Sequence, residues 1–205
     1  MTPPVFGLLA SGKGSNAARL LSAFAGNAIP GRAALVLTNV EGAGVLDVAK
    51  AAKVPCVTVP HHGLSREAHE AQVLTALRSA GVEHLLLAGY MRVLSKDFLA
   101  AFPGAVLNLH PSLLPEFPGA HALESQWKAG VKVSGATVHF VDEGVDTGPV
   151  LIQGSRDVAL GESFETFVER LQADVEHVIY PRAVRLFVER LGRGAMKQNG
   201  WRSTP

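Results

Sequence analysis

The chain has one cysteine, Cys56, which excludes an intrachain disulfide and leaves no thiolate cluster for a structural metal. It stands in the apolar run Val54-Pro55-Cys56-Val57-Thr58, where the expected role is a buried, inert thiol. A surplus of either charge is also missing. The 19 Lys and Arg against 18 Asp and Glu leave a net charge of +1, too little to gather a phosphate polymer. Basic residues are scattered, apart from a mildly basic tail after Arg190, so nucleic acid is not an expected partner. No unbroken apolar run approaches the length of a membrane span, and none is expected. The start, Met1-Thr2-Pro3-Pro4, lacks the charged region and apolar stretch of a secretory signal, which makes cytoplasmic residence the expectation. No histidine pair has metal-ligand helical spacing; His61 and His62 adjoin in a loop and are expected to be exposed, so no metal is expected.

What is present is a globular composition, 47% apolar and 18% charged over 205 residues, enough to build one core without staples. We expect a single domain over 1–205: an N-terminal half to about 104, a C-terminal half over about 105–190, and a short tail with a turn signal at Asn199-Gly200. Apolar runs at 5–10, 33–38, 55–59, 84–88 and 105–110 read as strands. They alternate with helical spacing at 17–24, 42–52, 65–79 and 95–102. Such alternation implies a parallel sheet with helices on both faces. Residues 111–119 then carry three prolines, which excludes regular helix and interior strand. Runs at 135–141 and 150–158, joined by a polar turn, predict an antiparallel portion, and 163–190 reads as a closing helix broken near Pro181. The fold class is therefore α/β: a Rossmann-like, mostly parallel sheet flanked by helices, with an antiparallel C-terminal portion.

Three segments could carry chemistry. Ser11-Gly12-Lys13-Gly14-Ser15-Asn16 joins a strand to a helix, where free N–H groups and the helix dipole favour an anion. It also meets a loose dinucleotide pattern, but the acid that should close the second strand is missing, and a plain tight turn remains open. In Asn108-Leu109-His110-Pro111, alternation puts Asn108 and His110 on one face of a strand end, so an amide donor and a proton carrier share a site. A structural histidine would fit the bare pattern as well. In the turn His139-Phe140-Val141-Asp142-Glu143-Gly144-Val145-Asp146-Thr147-Gly148-Pro149, Asp146 is followed closely by glycine and proline, so its carboxylate can be fixed by constrained backbone. The other acids there read as caps of a solvated loop.

Taken together, these segments resemble the phosphoribosylglycinamide formyltransferase family. The resemblance runs through residues 9–16, Leu-Ala-Gly-Tyr-Met-Arg-Val-Leu-Ser at 87–95, 108–115, Phe-Pro-Gly-Ala-His at 117–121, 139–149, and Glu-His-Val-Ile-Tyr-Pro at 176–181. It implies Asn108, His110 and Asp146 as the catalytic set, and Gly14, Ser15 and Asn16 as a cradle for a substrate phosphate. Glu176 would take the ribose hydroxyls. Met91, Arg92 and Leu94 would line a folate pocket with Asn108, and the turn Val141, Asp142, Glu143, Gly144 and Val145 would hold the pterin. The co-substrate would be 10-formyltetrahydrofolate, the acceptor amine that of glycinamide ribonucleotide in purine synthesis, and a homo-oligomer is left open. One departure is evident: the stretch 170–177 is a residue longer than the family's spacing before Glu-His. A deformylase of the same folate, or another formyltransferase of the superfamily, is the alternative. A start at the first strand and an end soon after the closing helix weigh against both.

Overall fold

The computed structural model describes residues 2–102 and 105–192. The basic tail and the Asn199-Gly200 turn lie outside the described residues. In chain order the elements are β1 (Val5–Leu9), α1 (Ser15–Ala25), β2 (Arg32–Thr38), α2 (Val45–Ala51), β3 (Cys56–Thr58), α3 (Arg66–Ser79) and β4 (His84–Leu87). There follow α4 (Lys96–Ala101), β5 (Val106–His110), α5 (Ala122–Ala129), β6 (Val133–Phe140), β7 (Val150–Asp157), α6 (Phe164–Leu171), a π-helical turn (Gln172–Glu176) and α7 (His177–Gly192).

The seven strands form one sheet in the order β3-β2-β1-β4-β5-β6-β7. Pairings from β3 to β5 are parallel, while β5–β6 and β6–β7 are antiparallel. Phe6, Leu8, Leu9, Val36, Leu37, Leu85 and Leu86 are wholly enclosed, as parallel strands covered on both faces must be. One core packs α1 and α7 against the sheet through Phe24, Phe187 and Tyr180, and a second packs α3 and α4 through Leu77 and Phe98. The Tyr180 hydroxyl, fully buried, shares its hydrogen between the carbonyls of Leu87 at 3.0 Å and Leu107 at 3.2 Å, which ties α7 to β4 and β5. Strand order reverses between β1 and β4, the place where a doubly wound sheet leaves a crevice beyond its carboxyl ends. The loops after β1, β4 and β5 all open there.

Three expectations need correcting, and one helix is added. The closing helix breaks at Gln172–Glu176, whereas Pro181 stands inside α7 near its start, where the hydrogen-bond ladder is only restarting. Helix α5 was not foreseen; its buried Gln126 ties it to the proline-rich loop through the Pro111 carbonyl at 2.7 Å and to β6 through Ser134 at 2.8 Å. Cys56 is only half-buried, because β3 is an edge strand. His61 is half-buried too: its Nδ1 lies 3.2 Å from both the carbonyl and the amide of Asn39 at the end of β2, while His62 is exposed.

Candidate active site

The site is assembled from strand ends. Asn108 and His110 stand two residues apart on β5 and so share a face. Asp146 comes from the turn between β6 and β7, with its backbone in the left-handed region at φ 56°. That geometry is costly for a residue with a side chain and is held by its surroundings. Asp142 accepts from Gly144 N–H at 3.0 Å and Thr147 Oγ1 at 2.8 Å, and any Cβ on Gly148 would collide with the Phe140 carbonyl oxygen. The carboxylate fixed in this way accepts from Gly119 N–H at 2.8 Å, lies 3.2 Å from His110 Nδ1, and accepts from Asn108 Nδ2 at 3.4 Å. Asn108, His110 and Asp146 therefore form one cluster.

His110 is 4% exposed, and both its ring nitrogens face acceptors. Nδ1 faces Asp146, and Nε2 lies 2.8 Å from the carbonyl of Phe117, itself a left-handed residue at φ 51°. A carbonyl and a carboxylate can only accept, so each contact is a hydrogen bond only where the ring nitrogen facing it carries a hydrogen. Burial pushes the Asp146 pKa up, but the His139 hydrogen bond, the Gly119 N–H and the charges of His110 and His139 outweigh it, and the net direction is down. A second histidine completes the cluster. His139 on β6 sits opposite Asn108, its Nε2 3.2 Å from Asn108 Nδ2 and 3.4 Å from Asp146 Oδ1, with Nδ1 bonded to the Phe140 carbonyl at 2.9 Å. In the sequence His139 only opens the polar turn that leads to Asp146; its register opposite Asn108 is what brings it into the cluster.

The glycine loop follows β1 and so opens at the same carboxyl edge of the sheet, two strands away from β5. Gly14 takes a left-handed conformation at φ 82° as the N-cap of α1, and a Cβ there would come within 2.8 Å of Val45 Cα. No side chain caps the helix and its first turn has no acid, so the N–H groups ahead of Ala18, the first to bond back to Gly14, are available to an anion. Asn16 Nδ2 donates to Glu176 Oε2 at 2.7 Å, which joins the two residues expected at phosphate and ribose. Glu176 is buried; burial raises its pKa and the Asn16 bond opposes this. The segment before Glu176, expected to be a residue longer than the family's spacing, forms a five-residue π-helical turn, which is wider than an α turn.

The expected folate residues divide. Met91 is 74% exposed, Arg92 and Val141 are half-buried, and Asp142, Glu143, Gly144 and Val145 are exposed. Leu94, by contrast, is buried in the core with Phe98, so it supports this wall from behind. The two segments adjoin, because Glu143 reaches Lys96 at the start of α4 at 3.1 Å and Val141 packs on the core that holds Leu94. Among the described residues no group of three or more His, Cys, Asp or Glu is arranged to hold a metal ion, and no helix is long and apolar enough to cross a membrane. A groove of about 340 Å³ lined by Trp127, Leu160 and Phe167 lies elsewhere and contains none of the expected site residues.

The family model of formyl transferase matches residues 6–184. The chain belongs to the formyl transferase family. It is 36% identical over 190 residues to the phosphoribosylglycinamide formyltransferase of Bacillus subtilis, covering 92% of this chain and 97% of that relative. The crystal structure of glycinamide ribonucleotide transformylase 1 from Symbiobacterium toebii superposes with a TM-score of 0.87 at 41% identity, over 91% of this chain and 88% of that one. The phosphoribosylglycinamide formyltransferase of Bacillus halodurans gives 0.87 at 36%, over 91% and 96%. The chain also matches the trifunctional purine biosynthetic protein adenosine-3 of Drosophila pseudoobscura at 40% identity over 194 residues, spanning 14% of that protein's length. The resemblance drawn from the motifs and the expected fold class are both borne out, and the formyl transferase family places the chain among the transferase enzymes.

Proposed function

We propose that this formyl transferase moves the formyl group of 10-formyltetrahydrofolate to the amine of glycinamide ribonucleotide, in the cytoplasm, as a step of purine synthesis. The observation that carries the reading is the convergence of Asn108, His110 and Asp146 at the carboxyl end of β5, on the sheet edge where α1 also begins without a side-chain cap. The neutral amine attacks the formyl carbon, and the new C–N bond forms as the carbonyl oxygen becomes an oxyanion. Asn108 Nδ2 and the charged His110 ring are its donors. The His110 N–H aimed at Phe117 is redirected to that oxygen, and Asp146 balances the imidazolium. Collapse breaks the bond to the folate nitrogen, which takes up the proton that the attacking amine gives up, relayed through water. No covalent enzyme intermediate is needed, and holding two reactants together contributes on the order of 7–11 kcal/mol in favourable cases.

In this reading the chain works as one domain. The half up to about 104 holds the phosphate at Gly14, Ser15 and Asn16, and the later half supplies the catalytic set and Glu176. Met91 and Arg92, with the turn from Val141 to Val145, receive the folate over Leu94. Absorbance of the folate, followed with and without glycinamide ribonucleotide, tests the assignment: release of tetrahydrofolate only when the amine is present supports transfer, and release without it would make the protein a deformylase.

A further inference from the structure

Glu70 lies on α3, outside the catalytic cluster, with only 9% of its side chain exposed. A carboxylate withdrawn from water has to be paired, and every partner of this one serves a single stretch of chain. Glu70 accepts from Ser95 N–H at 2.8 Å, makes a short hydrogen bond with the Ser95 hydroxyl, and accepts from Arg66 Nε at 3.4 Å. Arg66 in turn donates through Nη2 to the Val93 carbonyl at 2.8 Å. The Ser95 oxygen also accepts from Phe98 N–H at 3.0 Å, so the residue gripped by Glu70 is the N-cap of α4. At the other end of the stretch, Met91 N–H donates to Ser11 Oγ at 2.8 Å, and Ser11 is anchored on Asn39 at 2.6 Å.

The backbone of residues 91–95 is thus pinned from behind at both ends, while Met91 and Val93 turn 74% and 58% of their surface to solvent. Backbone held by hydrogen bonds at both ends and presenting bare apolar side chains is the arrangement of a preorganised binding wall, since the ordering cost is met before the ligand arrives. Helix α3 itself does not need Glu70, because Ser65 caps it by accepting from Ala68 N–H at 3.2 Å. We propose that Glu70 is a positioning residue for folate binding, holding the Met91–Ser95 wall in its receptive shape through Ser95. This rests on the reading that Met91 and Arg92 border the folate.

The test uses the full chain and steady-state kinetics with both substrates varied, alongside calorimetry with tetrahydrofolate. Glu70→Ala is expected to raise KM for 10-formyltetrahydrofolate about ten- to a hundred-fold, the worth of lost hydrogen bonds to a charged group, and to leave KM for glycinamide ribonucleotide unchanged. Amide exchange in residues 91–96 should quicken. Glu70→Gln keeps an oxygen for the Ser95 N–H and should restore much of the affinity; it also serves if the alanine variant does not fold. Adding Ser95→Ala to Glu70→Ala should cost less than the two changes summed. An equal rise in both KM values would show a general structural role and overturn the proposal. So would an unchanged folate KM, and Met91→Ala then separates the causes: a weakened folate KM there leaves the folate site standing without Glu70, whereas no effect in either variant removes the site assignment as well.

Discussion

Asn16 at the start of α1 and Glu176 at the end of the π-helical turn lie 160 positions apart in sequence and meet at 2.7 Å. Their bond joins the glycine loop to the closing helices, and among the described residues it gives the buried Glu176 carboxylate a side-chain donor. Burial raises the Glu176 pKa, so the folded chain holds that proton more tightly than the unfolded chain does. The resulting stability is fully present below the ordinary value of 4.5 and is lost as pH rises through the raised value.

Glu176→Gln, which cannot ionise, should therefore gain in Tm over the wild type as pH climbs from 4.5 to neutrality. The same variant should bind the ribonucleotide more weakly, a site paying in stability for function. A Tm difference that stays constant across this range would show that Glu176 is not held above its ordinary value.

His110→Ala should lower kcat by about 10²–10⁴-fold, the usual contribution of a positioned acid–base group, with folate affinity nearly intact. The ring is enclosed and held from both sides by Asp146 and the Phe117 carbonyl. Its removal leaves a cavity next to β6 but does not touch the Met91 wall. Single-turnover rates at saturating substrate isolate this step, and near-normal turnover in a folded variant would remove His110 from the chemistry.

Asp146→Asn should abolish most turnover while keeping the fold, because an amide oxygen can still accept from Gly119 N–H and the amide group can face the His139 ring. What it loses is the negative charge opposite His110. The Asp146 pKa is lowered, so its stabilising effect is complete above the ordinary value of 3.8 and vanishes as pH falls through the depressed one. Acid titration followed by circular dichroism should show a wild-type advantage at neutral pH that disappears in this acid window. An advantage that survives full protonation would mean that packing, not charge, is what Asp146 contributes.

The alternation of strands and helices was legible because parallel strands buried on both faces are plain apolar runs, as at Phe6–Leu9 and Leu85–Leu87. Asn108 and His110 were legible through strand periodicity, and Asp146 through the Gly148-Pro149 constraint that follows it. His139 was not, since its link to Asp146 depends on the antiparallel register of β5 and β6, a contact between distant segments. Helix α5 was hidden because much of what holds it is a polar network centred on Gln126, which leaves little apolar periodicity in eight residues. The π-helical turn has no periodicity that sets it apart from an α-helix in five residues, and Pro181 drew attention to the wrong break. Leu94 shows the converse limit: its place in a motif was legible, but the direction of its side chain was not.

The glycine loop should read a terminal phosphate. Gly14 frees the start of α1 from any side-chain cap, so the first-turn N–H groups and the Ser15 hydroxyl can converge on a dianion. Ser15→Ala is the cleaner probe, because Asn16→Ala also strips Glu176 of its donor. Each should raise KM for the ribonucleotide and leave folate binding largely unaltered. A hydrogen bond to a charged group is worth about 1.5–3 kcal/mol, or roughly ten- to a hundred-and-fifty-fold in affinity. Glycinamide riboside, which lacks the phosphate, should be a far poorer ligand than the ribonucleotide, and Ser15→Ala should narrow the gap between them. Calorimetry with both compounds on both proteins measures this directly. Equal affinity of the wild type for the two would show that the loop reads something other than phosphate, and tight binding of a dinucleotide abolished by Ser15→Ala would show what it reads instead.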